Sequence, residues 1–149
     1  MPFRQDDVVE ELQVCRETWR NWRTHVPRLK DRKGGKARFT SGEMLALKVI
    51  AYLVRRQHMP LEKLGPRSSD IFAACRFSQW DRIRKRVLIY RSDSGGVDLV
   101  PPDGSIAASN TIDSYTIPVA DLLRELETRL HFDYSPGELG EATSHLADV

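Results

Sequence analysis

The chain has 149 residues, 40% of them apolar and 30% charged, enough to bury the core of one domain or two small ones. No apolar run approaches a membrane span and MPFRQDD has no apolar signal core; two cysteines sixty residues apart match neither a disulfide framework nor a metal-ligand pattern. These features predict a cytoplasmic, nucleoid-associated protein with no bound metal or cofactor, and the net charge of +2 conceals an asymmetry, since residues 1–91 hold 21 Lys+Arg against 10 Asp+Glu while residues 92–149 hold 2 against 11.

A basic stretch beside an acidic one points to a polyanionic partner. Such fields speed association with phosphate backbones and say nothing about fold.

In chain order, Asp6-Asp7 can cap a first helix from about Asp7 to Gln13, with Val8, Val9 and Leu12 as its buried edge. A second helix is expected from Arg16 to just before Pro27. Trp19, Trp22 and Val26 fall on one of its faces, and Arg16, Arg20 and Asn21 fall on the other, with Arg23 at the flank. Two tryptophans on a helix are usually core, so they are expected to anchor a rigid element from which the arginines project. No acid lies at i+4 to neutralise Arg16, Arg20 or Arg23.

Leu29 to Phe39, LKDRKGGKARF, reads as a hairpin or wing turning at Gly34-Gly35, with Arg32, Lys33 and Lys36 near its tip. Thr40-Ser41-Gly42-Glu43 is a capping box, and the helix beyond it carries the stripe Leu45, Val49, Tyr52 and Leu53, ending near Gln57. Met59-Pro60-Leu61 opens a short helix with Pro60 in its first turn, closed after Leu64, and the run Gly65 to Ser69 is the expected boundary.

Beyond it, a short helix runs from Ile71 to about Arg76 or Trp80. Strands are expected at Val87–Tyr90, Val97–Val100 and Tyr115–Ile117, with a turn over Ser92–Gly96. Pro118 opens an amphipathic helix whose Val119, Leu122, Leu123, Leu126 and Leu130 share a face, suited either to the hairpin of its own chain or to a second copy. Arg82-Ile83-Arg84-Lys85-Arg86 fits a second DNA contact, a solvated lead into the strand, or a dock for the acidic tail. From about residue 133 the tail is small, acidic and expected to be mobile.

Val14, Thr18-Trp19-Arg20-Asn21-Trp22, Ala37-Arg38-Phe39-Thr40, Leu45 to Leu53 and Met59 to Leu64 occur in order and at suitable spacing. In this pattern residues 6–65 resemble the winged helix-turn-helix of the MerR (mercury-resistance regulator) superfamily, which includes excisionase-like and terminase-small-subunit-like modules. The resemblance implies that Arg16, Thr18 and Asn21 face the major groove, that Arg20 holds a phosphate, and that Arg38 contacts backbone or minor groove. Two positions depart from the pattern: Gln13 stands where a turn glycine is usual, and Asn21 where a tyrosine is common. Residues 66–149 show neither sustained heptads nor a Cys/His cluster, so effector sensing is not implied.

The fold expected is therefore α+β and mainly α: a winged helix-turn-helix over 1–65, then a small hairpin-plus-helix region over 66–149 for dimerisation or a protein partner. The expected function is sequence-specific binding of double-stranded DNA by a homodimeric transcriptional regulator of bacterial or phage type. A phage packaging or recombination accessory protein is the alternative. The expected contacts are Arg16, Thr18, Arg20, Asn21, Arg23, Arg32, Lys33, Lys36 and Arg38. His25, His58, His131 and His145 are scattered without partners at motif spacing, and there is no P-loop or dinucleotide fingerprint, so catalysis is not expected. Cys15 sits at the turn before a basic helix, a place that can lower a thiol pKa, but its plainer reading is a small packing residue.

Overall fold

A computed structural model describes residues 3–30, 32, 37–102 and 114–133. The fold is α+β and mainly helical, with small antiparallel sheets. Strand β1 (Phe3–Arg4) leads into α1 (Gln5–Leu12), α2 (Arg16–His25), a 3-10 turn at Pro27–Leu29 and β2 (Arg38–Phe39). Then come α3 (Ser41–Arg55), α4 (Leu61–Leu64), α5 (Ser69–Ala74), α6 (Trp80–Ile83), strands β3 (Val87–Arg91), β4 (Val97–Val100) and β5 (Ser114–Ile117), and α7 (Val119–Asp133). Among the described residues no helix is long and apolar enough to cross a membrane.

Local chemistry explains most of these boundaries. The Arg4 N–H donates to Asp7 Oδ2 at 2.9 Å, so Asp7 caps α1 from within its first turn. Gln13 ends α1 in the left-handed conformation, with φ 54° and ψ 46°, which is where the resembled pattern places glycine. Holding a residue with a Cβ there costs about 1 kcal/mol. Arg55, at the end of α3, offsets part of that cost by donating to the Leu12 and Gln13 carbonyls. Gln13→Gly should therefore raise stability by about 0.5–1 kcal/mol in urea unfolding, and a loss would show that the glutamine side chain itself holds the turn.

The centre of the fold is α3. Every residue from Gly42 to Ala51 is buried, Glu43 and Lys48 included, whereas its periodicity predicts a single stripe. Tyr52, placed on that stripe, is only half-buried. The helix is enclosed because α1, α5, β5 and α7 all pack on it. The capping box forms as expected: Glu43 N–H donates to Thr40 Oγ1 at 3.1 Å and Thr40 N–H to Glu43 Oε1 at 2.9 Å.

The three-stranded sheet has the order β4-β3-β5, all antiparallel, with Leu88 between Leu99 and Ile117 and Tyr90 between Val97 and Tyr115. Its β3–β4 turn is the expected one, with Gly95 at φ 77° and its N–H bonded to the Arg91 carbonyl at 2.7 Å. Helix α7 buries Val119, Leu123 and Leu126 against α3, α6 and β3. Those three positions of the face considered for dimerisation are thus used inside the chain, Leu122 is half-buried, and the side chain of Leu130 lies outside the described residues.

Residues 1–65 and 66–149 differ in charge, yet their packing is continuous. One buried cluster runs from Phe3 to Leu126. At the expected boundary Gly65 is itself buried, and a Cβ there would lie 2.4 Å from the His25 carbonyl oxygen, so glycine is what lets the chain pass against the end of α2. Lys48 binds Glu11 at 2.9 Å and Glu125 at 3.2 Å, which ties α1 and α7 to α3.

The expected wing differs in one respect. Leu29 closes a 3-10 turn instead of opening a strand, and β2 pairs with β1 in the register Phe3↔Phe39 and Arg4↔Arg38. Phe3 pairs there because it buries an aromatic ring at the edge of the core beside Phe39. Lys33, Gly34, Gly35 and Lys36 lie outside the described residues, as does the tail from residue 134.

Candidate nucleic-acid interface

Helix α2 is anchored from below. Trp19 and Trp22 are 2% and 3% exposed, and Trp19 meets Phe39 edge-on at 5.8 Å between ring centroids. Val26 is fully buried just beyond the helix end. The opposite face presents Arg16, Thr18, Arg20 and Asn21, all exposed, with Glu17 and Thr24. Neither Arg16 nor Arg20 makes an ion pair with any described residue. Arg23 is half-buried at the flank. A face of charged, extended side chains on a helix fixed by two indoles can offer guanidinium and amide groups to a rigid polar partner.

The strand pair adds to this surface. Arg4 and Arg38 are both exposed and stand directly opposite each other on β1 and β2. Arg4 was not expected at the site, because the two-residue strand that positions it has no periodic signal in the sequence.

Arg32 is engaged within the chain. Its Nη1 donates to Glu43 Oε1 at 2.6 Å and to the Arg38 carbonyl at 3.1 Å, and its guanidinium carbon lies 5.3 Å from the Phe39 ring centre. Arg28 approaches the same carboxylate, Nε to Glu43 Oε2 at 3.5 Å, and sits over Phe72 at 5.1 Å. Both arginines brace the segment between α2 and α3. Glu43 is the hub of that brace and sequence reading missed it; the capping box marks its place but shows nothing of the carboxylate's second side.

Burial pushes the Glu43 carboxyl upward, and the Arg32 and Thr40 hydrogen bonds with the Arg32 and Arg28 charges outweigh it, leaving the pKa below the ordinary 4.5. A depressed folded-state pKa adds stability above the unfolded value, and that stability is lost as pH falls through the folded value. Wild-type protein should therefore lose this contribution below about pH 4.5, whereas Glu43→Gln should be about 1–2 kcal/mol less stable at pH 7 and show a flatter acid limb. Urea midpoints from pH 3 to 7 test this. Parallel acid limbs would remove Glu43 as their source.

Cys15 is a correction. It is exposed at the N-cap of α2, not packed, with Sγ 3.2 Å from Thr18 Oγ1. The Thr18 hydroxyl is the main cause of a thiol pKa below the ordinary value.

The Arg82–Arg86 run falls at the end of α6 and the turn into β3. Arg84 is committed to Asp81 and to Glu127 of α7, each at 2.6 Å, so the acidic partner of this run within the described residues is a helix, and the run is partly neutralised. Among the described residues no group of His, Cys, Asp and Glu side chains could hold a metal ion.

No protein-family model matches the chain, and no curated protein or solved structure shows significant similarity to it.

Proposed function

We propose that the protein binds double-stranded DNA as a transcriptional regulator, with α2 lying in the major groove and the β1–β2 strand pair on the backbone. The observation that carries this reading is the outer face of α2: Arg16, Thr18, Arg20 and Asn21 exposed together on a helix whose other face holds two buried tryptophans. A helix fits the major groove, where arginine reads guanine through two hydrogen bonds and asparagine reads adenine in the same way. Arg20, Arg38 and Arg4 supply phosphate contacts, which fix register without reading sequence.

A single module of this kind covers roughly 600–1,000 Å² of its own surface, so useful specificity calls for two copies on adjacent half-sites. Val119, Leu123 and Leu126 of α7 are not available for that pairing, since they are buried within the chain. Electrophoretic shift with duplexes at two salt concentrations tests the reading. If about six phosphates are contacted, affinity falls by roughly 10³ between 50 and 200 mM salt. Salt-independent association, or none at 50 mM, would overturn it.

A further inference from the structure

Between α1 and α2 lies a cavity of about 290 Å³, lined by Gln5, Asp6, Arg16, Trp19, Arg20 and Arg23. Three side-chain atoms of these residues are buried without a hydrogen-bond partner in the protein: Gln5 Oε1, Trp19 Nε1 and Arg23 Nε. Orphaned buried polar atoms are uncommon, because each gives up water without regaining a bond. All three belong to residues that line this one cavity, each lying just beneath its accessible surface.

We propose that this cavity is an oxyanion site that takes a phosphate group. The two atoms whose chemistry is unambiguous, the indole N–H and the guanidinium Nε–H, are donors only and cannot be turned into acceptors. Gln5 can rotate its amide by half a turn and present a third donor, since its oxygen and nitrogen are interchangeable in shape. The charge balance on the walls is three guanidinium groups against the single carboxylate of Asp6. Gln5 and Asp6 are the first two residues of α1, whose positive dipole end adds to the field an anion meets.

A phosphate fits this set better than a carboxylate. Its oxygens point in tetrahedral directions, matching donors that arrive from two helices, and arginine binds it through paired N–H groups. The orphaned atoms are shielded from solvent, so the group reaches them as exposed Arg16 and Arg20 swing outward, a movement long surface side chains make on the nanosecond scale. The phosphate can belong to a nucleic-acid backbone or to a small phosphorylated molecule. The first source rests on the DNA-binding reading above; the second does not.

The test uses the full chain labelled with ¹⁵N at its indoles. Trp80 Nε1 donates to the Cys75 carbonyl at 3.0 Å and supplies an internal reference, and Trp19→Phe assigns the reporting signal. Inorganic phosphate is titrated against chloride at constant ionic strength, and a duplex is titrated separately. The Trp19 indole signal should move downfield and saturate at millimolar phosphate, with Trp80 unmoved; Arg23→Gln should weaken phosphate at least fivefold while leaving the Trp80 signal in place. Movement with phosphate and duplex alike supports the site and a backbone phosphate as its occupant. Movement with phosphate alone supports the site with a small-molecule source. A Trp19 signal unmoved by phosphate overturns the proposal and means the cavity holds water only; if the duplex still shifts other signals, the DNA-binding reading survives that failure.

Discussion

Arg20→Glu should lower duplex affinity more than a hundredfold and leave the thermal midpoint within about 2 °C of wild type. The two parts of this expectation have separate causes. Arg20 is exposed on α2 and has no ion-pair partner among the described residues, so the folded chain loses no ion pair when its charge is reversed. A glutamate facing phosphate exchanges attraction for repulsion, and a hundredfold change corresponds to about 2.7 kcal/mol, which is within reach of one reversed contact. Thr18→Ala, two positions from Arg20, should change which sequences bind more than how tightly. Unchanged affinity for Arg20→Glu, with an intact fold, would sink the docking geometry on α2.

Trp22→Ala should cost about 3–5 kcal/mol of stability, the range for truncating a fully buried aromatic side chain. Trp22 is 3% exposed, and α2 rests on α4 and on the turn at Gly65, where the backbones are too close for a Cβ. The cavity left by an indole cannot be filled by a backbone already in contact. Trp22→Phe should recover more than half of the loss, because most of the area returns. Urea unfolding followed through the two remaining tryptophans measures both variants. A cost below about 1 kcal/mol for the alanine variant would mean that α2 is held from elsewhere, and the rigid presentation of Arg16 and Arg20 would lose its basis.

What could be read from sequence divides along the line between local and long-range chemistry. The two faces of α2 follow from helical spacing alone, and the helix places Trp19 and Trp22 below and Arg16, Arg20 and Asn21 above as expected. The Thr40–Glu43 box is likewise local, since both of its hydrogen bonds span three residues. The strands at 87–91 and 97–100 are marked by their β-branched residues and by the glycine turn between them. Pairing across sequence distance left no such mark. The β1–β2 pair joins residues 34 and 36 positions apart through two residues on each side, too few for alternation to appear.

The candidate site shows the same division. Arg32 lies at a loop position that reads as a phosphate contact, and only the folded chain brings Glu43 to within 2.6 Å of it. Arg4 reads as part of an unstructured lead until β2 places Arg38 opposite. The enclosure of α3 depends on three helices and a strand from separate parts of the chain, so periodicity within α3 shows just one of its buried sides. Lys48 illustrates why: a lysine in a helical stripe suggests solvent, and here it is matched by Glu11 and Glu125 from elements 37 and 77 residues away.

The most direct test of the central claim is selection of duplexes from a randomised pool by the full chain at about 100 mM salt, repeated with Arg16→Ala and Asn21→Ala. Wild type should enrich one short motif containing guanine and adenine steps; Arg16→Ala should relax the guanine position and Asn21→Ala the adenine position, each by about 1–3 kcal/mol of discrimination. Enrichment of no motif, or the same motif recovered by all three proteins, would contradict the assignment of α2 as the reading helix.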